Sequence, residues 1–198
     1  LFKYIYKNYE RGLDMKNLKK EVFTIPNIMG YFRIILIPIF LYIYYNATSV
    51  RDYYIVAGIV CISGITDFLD GYIARNFNMI TELGKFIDPL ADKLTQAALV
   101  FSLAFRHKLM WYLVGLFIIK EGFMAIMGII MLRKGKKLDG AKWFGKLCTA
   151  ILYIVMFILI LFPRMNDTRA NFLIVVCGIF MLMSFILYIP VFYKMHKS

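Results

Sequence analysis

The stretch "TDFLDGYIARNFNMITELGKFIDPLADK", residues 66–93, sets Asp67, Asp70, Glu82, Asp88 and Asp92, five of the chain's twelve acidic residues, between long apolar runs. An unpaired carboxylate is costly in apolar surroundings, so these side chains need partners. Helical periodicity brings them together. Asp67 and Asp70 stand at i, i+3 on one face, with Gly71 and Ala74 just beyond, while Gly84, Asp88 and Asp92 at i, i+4, i+8 form a stripe on the next helix. Two helices joined by a short connection can therefore turn four carboxylates toward one another. Burial and mutual repulsion disfavour their ionised forms, and a cation relieves both. Carboxylate oxygens suit Mg²⁺ or Mn²⁺ better than zinc, and no His or Cys lies nearby to argue for a softer metal. A pair of such ions bridging a diphosphate accounts for the cluster. Gly71 and Gly84 remove side chains where something must approach closely, Ala74 is small, and Arg75 offers a planar fork to phosphate oxygens. Pro89 deletes one backbone hydrogen bond beside Asp88 and is expected to bend that helix, opening a cavity there.

Working outward, the stretch joins the second and third of six apolar segments, at about 31–50, 53–74, 85–105, 109–132, 144–163 and 169–193. Each is near the ~20 residues that a bilayer-crossing helix needs. With 198 residues, 61% of them hydrophobic, and a mean hydropathy of +0.68, the chain reads as an all-α integral membrane protein of six transmembrane helices in a single bundle. Residues 1–24 form a basic and aromatic juxtamembrane arm with no cleavable apolar core, and residues 25–198 form the six-helix domain. The connections are short and polar, with no low-complexity tract. Cys61, Cys148 and Cys177 each sit within an apolar run without CxxC spacing, so they read as buried packing thiols. His107 and His196 fall at membrane borders, and Trp111 and Trp143 read as interface anchors.

Six spans put both termini on one side, and the distribution of Lys and Arg says which. Of the 24 basic residues, only Arg51, Arg106, Lys108, Arg164 and Arg169 fall on the face opposite the termini, and Arg33 and Lys120 lie inside apolar runs. The positive-inside rule therefore places both termini and the aspartate-rich connection in the cytoplasm. A formal net charge of +12 then describes a basic cytoplasmic face suited to anionic headgroups and phosphorylated substrates. Nucleic acid is excluded as a partner, because the basic residues lie at membrane borders without a recognition motif.

The pattern Asp67-x₂-Asp70-Gly71-x₂-Ala74-Arg75-x₈-Gly84-x₃-Asp88-x₃-Asp92 resembles the complete signature of the CDP-alcohol phosphatidyltransferase family. "IPNIMGYFRIILIPIF", with Asn27 and Arg33, is similar to that family's first membrane segment, and "KWFGKLCT" to the basic element opening its fifth. The resemblance implies a six-helix membrane fold with a two-metal aspartate site at the cytoplasmic border. It further implies transfer of a phosphatidyl group from CDP-diacylglycerol to an alcohol, with release of CMP, by a homodimer in the bacterial cytoplasmic membrane. By position, Asp67, Asp70 and Asp88 would ligate one divalent cation and Asp92 would complete the shell of the second. Asp70, Gly71, Ala74, Arg75 and Gly84 would hold the CDP part, and Asp92 would be the general base. A cation transporter is the alternative that the carboxylates alone would permit, but it leaves Gly71-x₂-Ala74-Arg75 unexplained.

The acceptor is read from the fourth and fifth helices. The chain most resembles bacterial phosphatidylglycerophosphate synthases, whose acceptor is glycerol 3-phosphate, and Lys120 and Lys146 are the expected acceptor-binding residues. Such enzymes carry an Arg-Glu pair in the fourth helix and a second arginine about two turns on. Here the pair is Lys120-Glu121 and the second position falls near Gly128. Lysine lacks arginine's bidentate fork, and this departure points toward the cardiolipin synthase branch, whose acceptor is phosphatidylglycerol.

Overall fold

The computed structural model describes residues 22–81, 83–135 and 142–197. Most of the expected N-terminal arm lies outside them, as do Lys136 and Lys137. Among the described residues there are six α-helices and no strands: α1 Ile25–Tyr45, α2 Val50–Asn76, α3 Gly84–Ala104, α4 Met110–Arg133, α5 Trp143–Leu161 and α6 Asp167–Lys197. All six apolar segments are helical because a backbone in hydrocarbon must satisfy its own hydrogen bonds.

Local chemistry sets the helix starts. The α1 helix begins earlier than the expected residue 31, since Pro26 falls in the first turn, where its missing N–H costs nothing. Ser49 and Asp52 form a capping box before α2: the Asp52 N–H donates to Ser49 Oγ at 3.3 Å and the Ser49 N–H donates to Asp52 Oδ2 at 2.8 Å. Thr81 caps α3, its Oγ1 accepting the Gly84 N–H at 2.9 Å, and Asn166 Oδ1 accepts the Thr168 N–H at 2.9 Å before α6.

Five of the helices are long and apolar enough to cross a membrane. The exception is α3, expected as the third span. Its 21 residues suffice in length, but Lys85, Asp88, Asp92 and Lys93 all fall in its first half. The second half of α2 is inside out: Ser63, Thr66 and Asp70 are buried, while Ile62, Ile65, Phe68 and Tyr72 are exposed. Lipid rewards that arrangement, and water would not.

Contacts group the chain into two compact units, Leu1–Ile43 with Gly58–Thr95, and Tyr44–Ala57 with Gln96–Ser198. In the second unit α6 packs against α4 and α5, around a cluster of Met131, Phe144, Tyr188 and Phe192. The Phe144 and Tyr188 rings meet edge to face at 4.7 Å, and the Tyr188 hydroxyl fills the space a side chain at Gly145 would need. Elsewhere in this unit the Arg106 guanidinium lies 4.9 Å from the Tyr53 ring centroid and donates to the Pro163 carbonyl. Beside it, in the connection after α3, burial first and the Arg106 charge second hold His107 below the ordinary imidazole range. Cys148 and Cys177 are buried as expected, whereas Cys61 is exposed. The reason is rotational: Cys61 follows the buried Val60 onto the outward face of α2, so an apolar run alone did not determine its burial.

Candidate active site

Apart from Glu82, which lies outside the described residues, the residues singled out in 66–93 fall in the first unit, where α1 supplies side chains that meet them. Arg33 is the centre. Its side chain is 2% exposed, Nη1 donates to Asp67 Oδ1, and Nη2 donates to Asp70 Oδ2 at 2.9 Å. The i, i+3 spacing of the two aspartates lets one guanidinium reach both, one terminal nitrogen to each carboxylate. Asp70 is buried with it, at 4% side-chain exposure, while Asp67 is 50% exposed. The compensating charge the carboxylates require is thus met, for these two, by an arginine of the chain.

Asp88 is placed by a close approach of α3 to α1. A Cβ at Gly30 would stand 2.8 Å from Ile87 Cγ2 and 3.6 Å from Asp88 Oδ1, so Gly30 lets α3 come near. Asp88 Oδ1 is buried and has no hydrogen-bond partner, an arrangement that asks for a cation or a donor. One turn on, the Asp92 carboxylate is 26% exposed, with the Lys93 ammonium at 3.9 Å. Four carboxylates, one with an orphaned buried oxygen, are a donor set of the kind Mg²⁺ and Mn²⁺ take. As the side chains stand, among the described residues no three of them converge closely enough to enclose an ion. The residues fit such ions in type and in unmet bonding capacity.

Beside the carboxylates lies a cavity of about 220 Å³, lined among others by Asn27, Gly71, Ala74, Arg75, Gly84 and Asp88. Four positions singled out for the CDP part thus share one cavity, and Asp70 does not line it. The two glycines serve differently. A Cβ at Gly71 would meet only Arg75 Nη2, at 3.6 Å, so Gly71 keeps the cavity open. A Cβ at Gly84 would stand 2.6 Å from Asn27 Oδ1 and 3.0 Å from Thr81 Oγ1. What approaches Gly84 is the Asn27 amide, whose Nδ2 donates to Thr81 Oγ1 at 3.0 Å. Arg75 Nε donates to the Gly71 carbonyl at 2.9 Å, so the exposed guanidinium folds back along its own helix to the cavity wall.

Lys120 and Lys146 belong to the second unit. Lys120 is buried within α4, its Nζ donating to Glu121 Oε1 at 2.5 Å, while Lys146 is exposed near the start of α5. A Cβ at Gly128, where a second arginine is expected, would meet nothing within 4 Å.

Sequence reasoning left Arg33, Asn27, Thr81 and Lys85 without roles. For Arg33 the signal was present, since an arginine inside an apolar run must find an acidic partner. Lys85, which the charge distribution marks only as one of the basic residues on the termini's face, lines the cavity. Asn27 and Thr81 carried no such signal, because their pairing joins α1 to the connection before α3, 54 residues away.

The sequence profile of CDP-alcohol phosphatidyltransferases matches residues 23–191. The CDP-diacylglycerol–glycerol-3-phosphate 3-phosphatidyltransferase of Escherichia coli K12 is 31% identical over 138 residues, covering 68% of this chain and 75% of the relative. The same enzyme of Shigella flexneri serotype 5b matches with the same identity and coverage. A match that runs from before α1 to far along α6 takes in the aspartates, the cavity and the apolar helices together: the chain belongs to the CDP-alcohol phosphatidyltransferase family and is an integral membrane enzyme.

Proposed function

We propose that the chain transfers the phosphatidyl group of CDP-diacylglycerol to sn-glycerol 3-phosphate, giving phosphatidylglycerophosphate and CMP, at the cytoplasmic border of the membrane. The observation that carries this reading is the cavity, whose walls include Gly71, Ala74, Arg75, Gly84 and Asp88, the last with one buried oxygen lacking a hydrogen-bond partner. Two divalent cations, Mg²⁺ or Mn²⁺, held by Asp67, Asp70, Asp88 and Asp92, would neutralise the diphosphate and the departing CMP. Gly71 and Ala74 leave room for the nucleotide, and Arg75 offers its fork to the phosphates. Asp92, one turn beyond Asp88, takes the proton from the acceptor hydroxyl. The hydroxyl oxygen bonds to the β-phosphorus as the bond from that phosphorus to the CMP oxygen breaks. Lys120 and Lys146 bind the acceptor's phosphate, and the enzyme works as a homodimer with both termini in the cytoplasm.

Glycerol 3-phosphate is supported by the names of the relatives. A second acceptor, phosphatidylglycerol, is favoured by the neutralising bond between Lys120 and Glu121 and by the missing second arginine at Gly128. The deciding experiment offers purified protein labelled CDP-diacylglycerol and Mg²⁺ with each acceptor separately. Phosphatidylglycerophosphate as the product supports the first reading, cardiolipin the second, and no lipid product with any alcohol refutes phosphatidyl transfer.

A further inference from the structure

We propose that Arg33 is a positioning residue for the cation ligands: it grips one oxygen each of Asp67 and Asp70 and turns the other oxygen of each toward the ions. This rests on the proposal that these aspartates bind divalent cations. The argument starts from what Arg33 could do if an ion displaced it. Its side chain is 2% exposed, and its hydrogen bonds among the described residues go to Asp67 and Asp70 alone. Its Nε is buried without a partner. A guanidinium driven off those carboxylates would stand buried and unpaired, which is the costly outcome for a charge inside a protein. Arg33 therefore stays in place when an ion enters. Its two bonds take Asp67 Oδ1 and Asp70 Oδ2, so Asp67 Oδ2 and Asp70 Oδ1 remain for the ion. Groups that hydrogen-bond to metal ligands in this way fix the ligands' orientation, and losing one typically weakens metal binding roughly 10- to 100-fold.

The sign of the effect distinguishes positioning from simple counter-charge. If Arg33 acted only by its positive charge, deleting it would tighten the binding of a dication; if it orients the ligands, deletion loosens it. Lysine keeps the charge but, as a point donor on a flexible stem, does not replace a fork that spans two carboxylates. The test is Mn²⁺ binding by the full chain in detergent, read from the electron paramagnetic resonance signal of free Mn²⁺ without substrate or turnover. Arg33→Met and Arg33→Lys should both raise the Mn²⁺ dissociation constant by roughly 10-fold or more. Unchanged or tighter binding in both, with normal binding by the wild type, overturns this inference and leaves the cation site standing. No Mn²⁺ binding by the wild type overturns the cation site and this inference together. Should neither variant fold, ¹⁵N-arginine labelling of the Arg75→Lys protein, which retains Arg33, reports directly. Electron–nuclear couplings from guanidinium nitrogens to bound Mn²⁺ support the placement of Arg33, and their absence refutes it.

Discussion

Asp70 and Asp92 both belong to the signature, yet the structure gives them different surroundings, so converting each to asparagine separates structure from chemistry. Asp70 is 4% exposed and accepts from Arg33 Nη2 at 2.9 Å. Asp70→Asn keeps an acceptor oxygen but removes the charge, leaving a buried guanidinium balanced chiefly by the half-exposed Asp67. Breaking a buried ion pair costs ~3–5 kcal/mol, and the retained neutral bond places this variant near the lower end, at about 3 kcal/mol. Asp92 is 26% exposed, and its contact with Lys93, itself 40% exposed, is 3.9 Å long. Such a pair contributes under about 1 kcal/mol, so losing it should cost Asp92→Asn less stability than Asp70→Asn loses with its buried ion pair. The activities should be ordered by chemistry. Asp92 lies eight residues beyond Gly84, about 12 Å along the helix axis at ~1.5 Å per residue, which under the proposed function would carry it past the nucleotide end toward the incoming hydroxyl. Loss of a general base should lower turnover by roughly 100-fold or more while CDP-diacylglycerol affinity stays close to wild type. Asp70→Asn should instead lose stability, cation affinity and CDP-diacylglycerol affinity together. Unfolding midpoints, calorimetric CDP-diacylglycerol affinity with Mg²⁺ and initial rates are the measurements. Near-wild-type rates for Asp92→Asn, or a loss of nucleotide affinity as severe as that of Asp70→Asn, would refute the assignment of the base.

Exhaustive chelation should abolish transfer, and Mg²⁺ or Mn²⁺ should restore it; full turnover in chelator would exclude the cation site. Gly84→Ala should cost about 2 kcal/mol, because its Cβ displaces the buried Asn27 amide from Thr81 and disturbs the α3 cap. Gly71→Ala should leave the unfolding midpoint unchanged and weaken CDP-diacylglycerol binding; equal midpoints for the two variants would contradict the different roles of the glycines. Lys120→Met and Lys146→Met should each raise the acceptor's KM with little change in that for CDP-diacylglycerol, and unaltered acceptor kinetics would leave them as charges that set topology. Since His107 is held below its ordinary value, its folded form resists protonation. It adds no penalty well above pH 6.5 and an increasing one as pH falls through 6.5. Thermal midpoints of wild type and His107→Gln should therefore diverge on acidification, and parallel pH profiles would show that this imidazole does not matter.

The sequence by itself determined that the chain is built of membrane helices and which aspartates share a face. Both are local properties: a backbone in lipid must close its own hydrogen bonds, so apolar runs of sufficient length become helices. The 3.6-residue turn then fixes Asp67 beside Asp70, and Asp88 beside Asp92, before any helix meets another. The signature spacing carried the family for the same reason. Tertiary structure decided the partners. Arg33 lies 34 residues from Asp67 in sequence, and Asn27 lies 54 from Thr81. Each pairing depends on how far α1 is rotated and how closely Gly30 lets α3 approach, which no local pattern encodes. Rotation also turned Cys61 outward, and it distinguished two glycines that read alike, one keeping a cavity open and the other making room for an amide of the protein itself. A helix's own periodicity says which side chains travel together; the packing between helices decides what they meet.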